Sequence, residues 1–384
     1  MKPLRLMIVC GEPSGDLLGA QLMTSLRQIT GGAVEFCGVG GEAMAALGFQ
    51  TLFPLEATSV MGIVEIVPRI PQILGLIGQV VGFAVAAKPD AVIIIDSPEF
   101  TQRVARRIRK AAPDIRIINY VAPQVWAMRS YRAKSMATYL DLVLALLPFE
   151  PPFFEKYGLK SVFVGHPAVE RAAKMVGGDA LRARLGIAPN APLLGVLPGS
   201  RNGEVSHLLA PFRDAVARVA AAVPGLVTFI PLVPHVADRV RAETQNWPAP
   251  LHYIEGEADK FAAFDAADVA LAASGTVTTE LALSGTPTVV GYHVAPITAA
   301  LVRRFIHVKF ASLTNLIADA EVMPEFIQGN CTAEKLGDAV IARFTDTALA
   351  DRQRADQFAA MQAMGLGGEA PSLRAAKAVV EFLG

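Results

Sequence analysis

Short, nearly unbroken apolar runs recur along this chain, most ending in a polar or glycine-containing turn and several followed by a helical pattern. They fall at Leu4–Cys10, 34–38, Ala91–Ile95, 115–121 and 142–147, and again at Leu193–Leu197, 227–232, Leu251–Ile254, 269–272 and 288–291. A strand apolar on both faces must be covered on both faces, a condition met by a parallel sheet between two layers of helices. The pattern stops and restarts across the Gly/Pro-containing stretch 165–192, so it predicts an α/β chain of two similarly built domains, 1–170 and 171–350. A length of 384 residues suffices for two cores. The remaining 351–384 reads as two helices broken around 365–371, a tail of the kind that crosses back to the first domain. Open parallel sheets bind ligands at the carboxyl ends of their strands, and two facing domains leave a cleft.

Hydrophobic residues make up 52% and charged residues 18%, which excludes a disordered polyelectrolyte. Lys+Arg and Asp+Glu are both 35, so no global field draws the chain to nucleic acid and an anionic partner must be met by local groups. Cys10, Cys37 and Cys331 are an odd number, lie far apart and form no CxxC, which gives neither a disulfide framework nor a zinc ribbon and fits a reducing compartment. The N-terminal MKPLR runs directly into an apolar strand without the features of a signal peptide, so a cytoplasmic location is expected. Residues 70–87 carry no charge at all. Pro71, Gln72, Gln79 and three glycines weigh against a spanning helix, leaving a buried core helix or one whose apolar face dips into a bilayer. Arg103, Arg106, Arg107, Arg109 and Lys110 could meet anionic head groups there, or form a solvated helix face.

Several strand ends could carry chemistry. Gly11, Glu12, Pro13, Ser14, Gly15 and Asp16 follow the first strand and open a helix, where free N–H groups favour an anion, although the turn is not GxGxxG. Asp96 closes the apolar strand at Ala91–Ile95 and reads either as a general base or as the cap of the next helix, with Glu99 as its competitor. Gly199, Ser200 and Arg201 close the first strand of the second domain, and Arg201 supplies the bidentate charge suited to a pyrophosphate. Arg201 and Glu204 could instead be a surface pair at helical spacing. Ser274, Gly275 and Thr276, with Glu280 one turn on, repeat the design at another strand end, with Glu280 placed for ribose hydroxyls unless Ser274 is merely a cap. Trp126, in an aromatic and basic stretch, and His166 lie where the first domain would meet the cleft. No cluster has metal-ligand spacing, and neither DxD, GxSxG nor GK[ST] occurs as a nucleotide or hydrolase signature.

Taken together, GEPSGDLLGA, GVGGEAM, SVMGIVEIVPRI, IDSPEF, YVAPQVWAMR, LPFE, FVGHP, LPGSRNGEV, SGTVTTELAL, SLTNLIA and PEFIQ resemble the lipid-A-disaccharide synthase family, in the family's order from Gly11 to Gln328. Small departures stand at Pro13, Met128 and Thr279. The resemblance implies a GT-B fold of two Rossmann-like domains, the C-terminal one holding UDP. It implies an inverting hexosyltransferase that moves 2,3-diacylglucosamine from UDP-2,3-diacylglucosamine to 2,3-diacylglucosamine 1-phosphate (lipid X), giving a β-(1→6) disaccharide and UDP without metal or cofactor. On this reading Asp96 is the base and Arg201 stabilises the leaving diphosphate. Gly199, Ser200, Glu204, Ser274, Gly275, Thr276, Glu280, Asn315 and Gln328 surround the donor. Glu12, Ser14, Gly15, Trp126 and His166 lie on the acceptor side. The acylated substrates give the region 60–87 a task at the anionic inner face of the inner membrane, and a homodimer stays open. The alternatives are a UDP-N-acetylglucosamine 2-epimerase, an undecaprenyl-linked transferase, or a nucleotide-binding membrane tether without catalysis.

Overall fold

The computed structural model describes residues 3–58, 63–127, 131–293 and 308–384, with the backbone alone for 63–69. Two compact units result: 1–167 together with 368–384, and 168–367.

Unit 1 holds a six-stranded parallel sheet of β1 (Leu4–Cys10), β2 (Val34–Val39), β3 (Ala91–Ile95), β4 (Arg116–Tyr120), β5 (Leu142–Ala145) and β6 (Lys160–Phe163), in the order β2-β1-β3-β4-β5-β6. Unit 2 holds a second, of β7 (Leu193–Leu197), β8 (Val227–Pro231), β9 (Leu251–Ile254), β10 (Val269–Ala273), β11 (Thr288–Tyr292) and β12 (Glu325–Ile327), in the order β12-β11-β10-β7-β8-β9. The chain is α/β, of the GT-B class with two Rossmann-like units. β3 is AVIII and fully buried, as β-branched residues covered on both faces require. Alternate residues of β7 divide between two cores: Leu194 and Val196 pack under the helix Asn202–Ala222, Leu193 and Leu197 under the helix Glu257–Ala266. The edge strands β6 and β12 have no counterpart among the predicted runs, because KSVF and EFI are too short and too polar to stand out.

The strand orders fix where chemistry can sit. In each sheet the order reverses beside the first strand, between β1 and β3 in unit 1 and between β7 and β10 in unit 2. Turns leaving adjacent strands in opposite directions open a crevice at that point. The turns so placed are 11–15 and 96–97 in unit 1, and 198–201 and 274–276 in unit 2.

The tail divides. The helix Thr347–Ala363 belongs to unit 2, where Gln353 and Gln357 donate through Nε2 to the carbonyls of Thr288 (2.7 Å) and Thr286 (3.0 Å). The helix Pro371–Leu383 belongs to unit 1, where Arg374 donates to the Phe163 carbonyl at 2.8 Å.

The helix Ile63–Ala87 is not the buried core element that one reading of its composition expects. From Ile70 onward only Ile77, Val80 and Ala84 are buried among its apolar side chains, one stripe at helical spacing against the helix Pro98–Ala111. Ile70, Leu74 and Val85 are 41%, 38% and 38% exposed. Among the described residues it is the one helix long and apolar enough to cross a membrane, with a mean hydropathy of 1.8 over Ile70–Ala87. The part of the apolar region at 60–62, and the side chains of Glu65 and Arg69, lie outside the described residues.

Candidate active site

In unit 1 the turns after β1 and β3 touch. Asp96 and Ser97 both have positive φ (51° and 45°), a conformation that costs about 1–3 kcal/mol for each non-glycine residue and persists only where the surroundings impose it. Here Thr101 Oγ1 donates to the Asp96 carbonyl (2.6 Å), and the Phe100 and Thr101 amides donate to the Ser97 carbonyl (3.0 Å each). Ser97 occupies the N-cap position of the helix Pro98–Ala111 without a side-chain cap, so the reading of Asp96 as a helix cap is set aside. Its half-buried carboxylate instead accepts a hydrogen bond from Ser14 Oγ at 3.0 Å. A Cβ on Gly11 would stand 2.5 Å from Ser97 Oγ, which is why glycine follows β1. Glu99 points elsewhere, pairing with Arg132 (3.2 Å) and Arg103 (3.6 Å) on the surface.

The remaining acceptor-side candidates separate. Glu12 is exposed at the N-cap position of the helix Pro13–Ile29 and does not cap it. Gly15 is buried, and a Cβ there would lie 2.9 Å from Cys10 Cβ and 3.2 Å from the Ile95 carbonyl, so it serves packing rather than ligand contact. Asp16, buried beneath, accepts from the amides of Gly41 (2.7 Å), Ala43 (2.8 Å) and Met44 (3.1 Å), tying GEPSGD to GVGGEAM. His166 follows β6, three strands from β3 in the sheet order, about 14 Å along the sheet at the usual spacing.

Trp126 is on the loop after β4, the strand beside β3, and the last carbonyl of β4, that of Tyr120, accepts the Asp96 amide at 3.3 Å. This loop starts at Val121, itself at φ 73°, whose carbonyl accepts from Asn119 Nδ2 (2.9 Å). Behind it Gln102 Nε2 donates to Asn119 Oδ1 (2.8 Å) and the Tyr139 hydroxyl donates to Gln102 Oε1. At its far end Trp126 Nε1 donates to Glu150 Oε1 at 3.1 Å. Met128 and Arg129 lie outside the described residues.

In unit 2, Gly199 has φ 108° and leaves so little room that a Cβ would lie 2.6 Å from Glu204 Oε2. That oxygen accepts from the amides of Ser200 (2.9 Å) and Arg201 (3.2 Å), while Glu204 Oε1 accepts from Arg201 Nη1 (2.9 Å). Two corrections follow. Glu204 is an internal cap rather than a donor contact, and the amides of Ser200 and Arg201 already hold an anion, its carboxylate. The guanidinium of Arg201 is 80% exposed. Such exposed pairs are weak and readily exchanged for a multiply charged ligand.

Gly275, not Ser274, holds the N-cap position of the helix Thr276–Leu283, and Ser274 Oγ donates to the Ala311 carbonyl (2.9 Å). Thr276 is exposed in its first turn. Glu280 is buried, with Oε1 accepting from Arg171 Nη1 (3.1 Å) and Oε2 from Lys260 Nζ (2.9 Å). Asn315 corrects the donor-site expectation most clearly. It is fully buried, donating through Nδ2 to the Met323 carbonyl and Glu325 Oε1 (2.7 Å each) and accepting at Oδ1 from the amides of Val322 (2.9 Å) and Met323 (2.8 Å). Gln328 is half-buried after β12 with φ 54°. Among the described residues no three His, Cys, Asp or Glu side chains form a group that could hold a metal ion.

A model of the lipid-A-disaccharide synthetase family matches residues 6–376. Lipid-A-disaccharide synthases of Rhodospirillum centenum and Paramagnetospirillum magneticum are each 45% identical to the chain, over 100% and 98% of it and 96% and 97% of their own lengths. The chain belongs to the lipid-A-disaccharide synthase family. It is thereby a glycosyltransferase of lipid A biosynthesis. The fold alone is more widely shared. UDP-GlcNAc 2-epimerase from Neisseria meningitidis, solved with UDP-GlcNAc, superposes with a TM-score of 0.64 at 13% identity over 99% of both chains. The glycotransferase of kitacinnamycin does so at 0.61, with 16% identity over 100% of both.

For this member of the synthase family, strand-end reasoning singled out Asp96 and, separately, the 11–16 turn, which the structure joins through Ser14, and it placed the 199–201 and 274–276 turns at adjacent strand ends. It missed the groups that hold these in place: Asp16, Glu150, Arg171, Lys260 and Glu325. Glu150 and Glu325 carried a signal, each an isolated acid in an apolar motif at a strand end, LPFE and PEFIQ. Arg171 and Lys260 carried none.

Proposed function

We propose that unit 2 holds the UDP of UDP-2,3-diacylglucosamine and that Asp96 of unit 1 removes the proton from the 6-hydroxyl of 2,3-diacylglucosamine 1-phosphate. The hydroxyl oxygen attacks the anomeric carbon from the face opposite UDP, the glycosidic bond breaks with its electron pair going to the diphosphate, and one displacement inverts the α-linked donor to a β-(1→6) disaccharide. Arg201 and the start of the helix Thr276–Leu283 meet the charge that develops on the leaving diphosphate. Glu280 accepts from ribose hydroxyls, since a carboxylate retains acceptor capacity beyond its two cationic partners. Asn315 and Glu325 hold the 311–315 loop against Ser274, and Gln328 borders the donor.

The observation that carries the reading is the Asp96 carboxylate, presented by a strained backbone at a switch point and hydrogen-bonded to Ser14 rather than used to cap the helix. The exposed apolar face of Ile70–Ala87 supports work at the inner face of the inner membrane, because drawing an acyl chain out of a bilayer costs about 0.8 kcal/mol per CH₂. Arg103, Arg106, Arg107 and Lys110 are exposed on the neighbouring helix, Arg103 near Glu99 and Arg106 over the Tyr139 ring, whereas Arg109 is half-buried and pairs with Asp141. Incubating purified protein with both acylated sugars tests the reading by UDP release and disaccharide formation. Asp96→Asn should lower turnover about 10² to 10⁴-fold at unchanged UDP affinity. Wild-type protein that binds UDP but forms no disaccharide would leave an epimerase or a tether instead.

A further inference from the structure

Glu150 is 2% exposed, at the start of the short helix Pro151–Glu155 after β5. Its Oε2 accepts from the amides of Leu146 and Leu147 (3.0 Å each), and its Oε1 accepts from Trp126 Nε1. Trp126 stands edge-on to Phe149, with centroids 5.1 Å apart at 88°. One buried carboxylate thus joins the loop after β4 to the loop after β5. The first of these loops borders Asp96 in the sheet order, and its start is fixed independently by Asn119, Gln102 and Tyr139.

We propose that Glu150 is a positioning residue for the transfer, its buried carboxylate latching Trp126 so that the 121–127 loop keeps one shape beside Asp96 while the acceptor binds. This rests on the reading of unit 1 as the acceptor side.

All three partners of Glu150 are N–H donors, so they serve the carboxylate and offer no acceptor for a carboxylic acid proton. Burial opposes the charge and pushes the Glu150 carboxyl up to about 7, with the bonds from Leu147, Trp126 and Leu146 pulling the other way. No ion pair reaches it among the described residues. On the neighbouring elements Arg132 pairs with Glu99, Lys156 lies over Phe153 and Tyr157, Lys160 lies over Phe382, and Lys134 and Glu155 are exposed. The latch is complete when Glu150 is ionised; below its titration a proton displaces one of the three bonds.

The test is acceptor kcat/KM against pH from 5.5 to 8.5 (a window of about 1.5 units either side of neutrality), for wild type, Glu150→Gln and Trp126→Phe, with UDP affinity and a melting curve for each. Wild type should show a rising limb near neutrality. In Glu150→Gln the amide satisfies only one side of the latch and cannot titrate, so the limb should vanish and acceptor kcat/KM at high pH should fall about tenfold, at unchanged UDP affinity. Trp126→Phe leaves the carboxylate its backbone amides and should raise acceptor KM about tenfold without changing UDP affinity. A Glu150→Gln enzyme with the wild-type profile and acceptor KM would overturn the proposal. If Glu150→Gln does not fold, a wild-type acceptor KM in Trp126→Phe would do so. Wild-type protein without transfer activity would instead overturn the acceptor-side reading on which it rests.

Discussion

Asn315 commits both amide N–H groups and both carbonyl lone pairs inside unit 2, and its neighbour in that network, Glu325, also accepts the amides of Ala311 (2.7 Å) and Ser312 (2.8 Å). Removing a buried polar side chain strands its partners. Asn315→Ala should therefore cost about 3 kcal/mol or more, read as a fall in melting temperature, whereas a residue that only touched ligand would leave the melt unchanged. Glu150 makes a second prediction with a definite sign. Burial raises its carboxyl from an ordinary 4.5 to about 7 in the folded chain, so between these the native state keeps a proton that the unfolded chain has lost. Stability then falls as pH rises from about 4.5 to 7, by on the order of 3 kcal/mol from this group. Denaturant unfolding across that range should show the loss in wild type relative to Glu150→Gln; parallel curves would remove the assignment. Asp96 was legible because a lone acid after AVIII has to leave the core at the strand end. The strain at Asp96, Ser97 and Val121 was not, since positive φ there is imposed by Thr101, Asn119 and the turn of Gly11, contacts between residues distant in sequence or hidden by the fold.

The helix Ile63–Ala87 shows what a sequence pattern leaves undecided at the level of an element. From Ile70 to Ala87 it carries no charge, and that stretch satisfies equally the composition of a core helix and of a membrane-facing one. The fold decides, by packing it against the helix Pro98–Ala111 through a stripe of three buried side chains, Ile77, Val80 and Ala84. Its two faces make separable predictions. Ile77→Ser places a hydroxyl in the packed stripe and should destabilise unit 1 by about 3 kcal/mol. Ile70→Ser, Leu74→Ser and Val85→Ser together should leave the melt nearly unchanged. Each of those three side chains contributes about 1 kcal/mol or more when it leaves water, so partition onto vesicles containing anionic lipid should drop on the order of 100-fold. Co-sedimentation of a folded triple variant at the wild-type level would exclude this face from any membrane contact.

Across the whole molecule the same topological event occurs twice, a reversal of strand order beside the first strand of each sheet, and the proposed function divides the chemistry between the two occurrences. The repetition was legible because strands buried on both faces read as apolar runs, and the break at 165–192 separates two sets of them. The exact membership of the tail was not, since the helices Thr347–Ala363 and Pro371–Leu383 look alike in sequence and are told apart by what they reach: carbonyls at Thr286 and Thr288 for one, at Phe163 for the other. Division of labour gives the molecule-wide prediction. On the proposed reading UDP meets cationic and backbone donors in unit 2, at Arg201 and the start of Thr276–Leu283, whereas in unit 1 the corresponding turns present the carboxylates Glu12 and Asp96, which repel a diphosphate. Hydrogen exchange with saturating UDP should therefore slow amides in 198–206 and 274–283 and leave 11–16 and 95–101 at their rates in the free protein. At a hundredfold excess over Kd, binding adds about 2.7 kcal/mol to the stability of whatever opens to exchange there, enough to slow it by about two orders of magnitude. Arg201→Ala should abolish the slowing in both unit 2 segments at the same UDP concentration, because its guanidinium is the exposed cation of that switch point. Protection centred on 11–16 would place the nucleotide in unit 1 and reverse the assignment of the two halves.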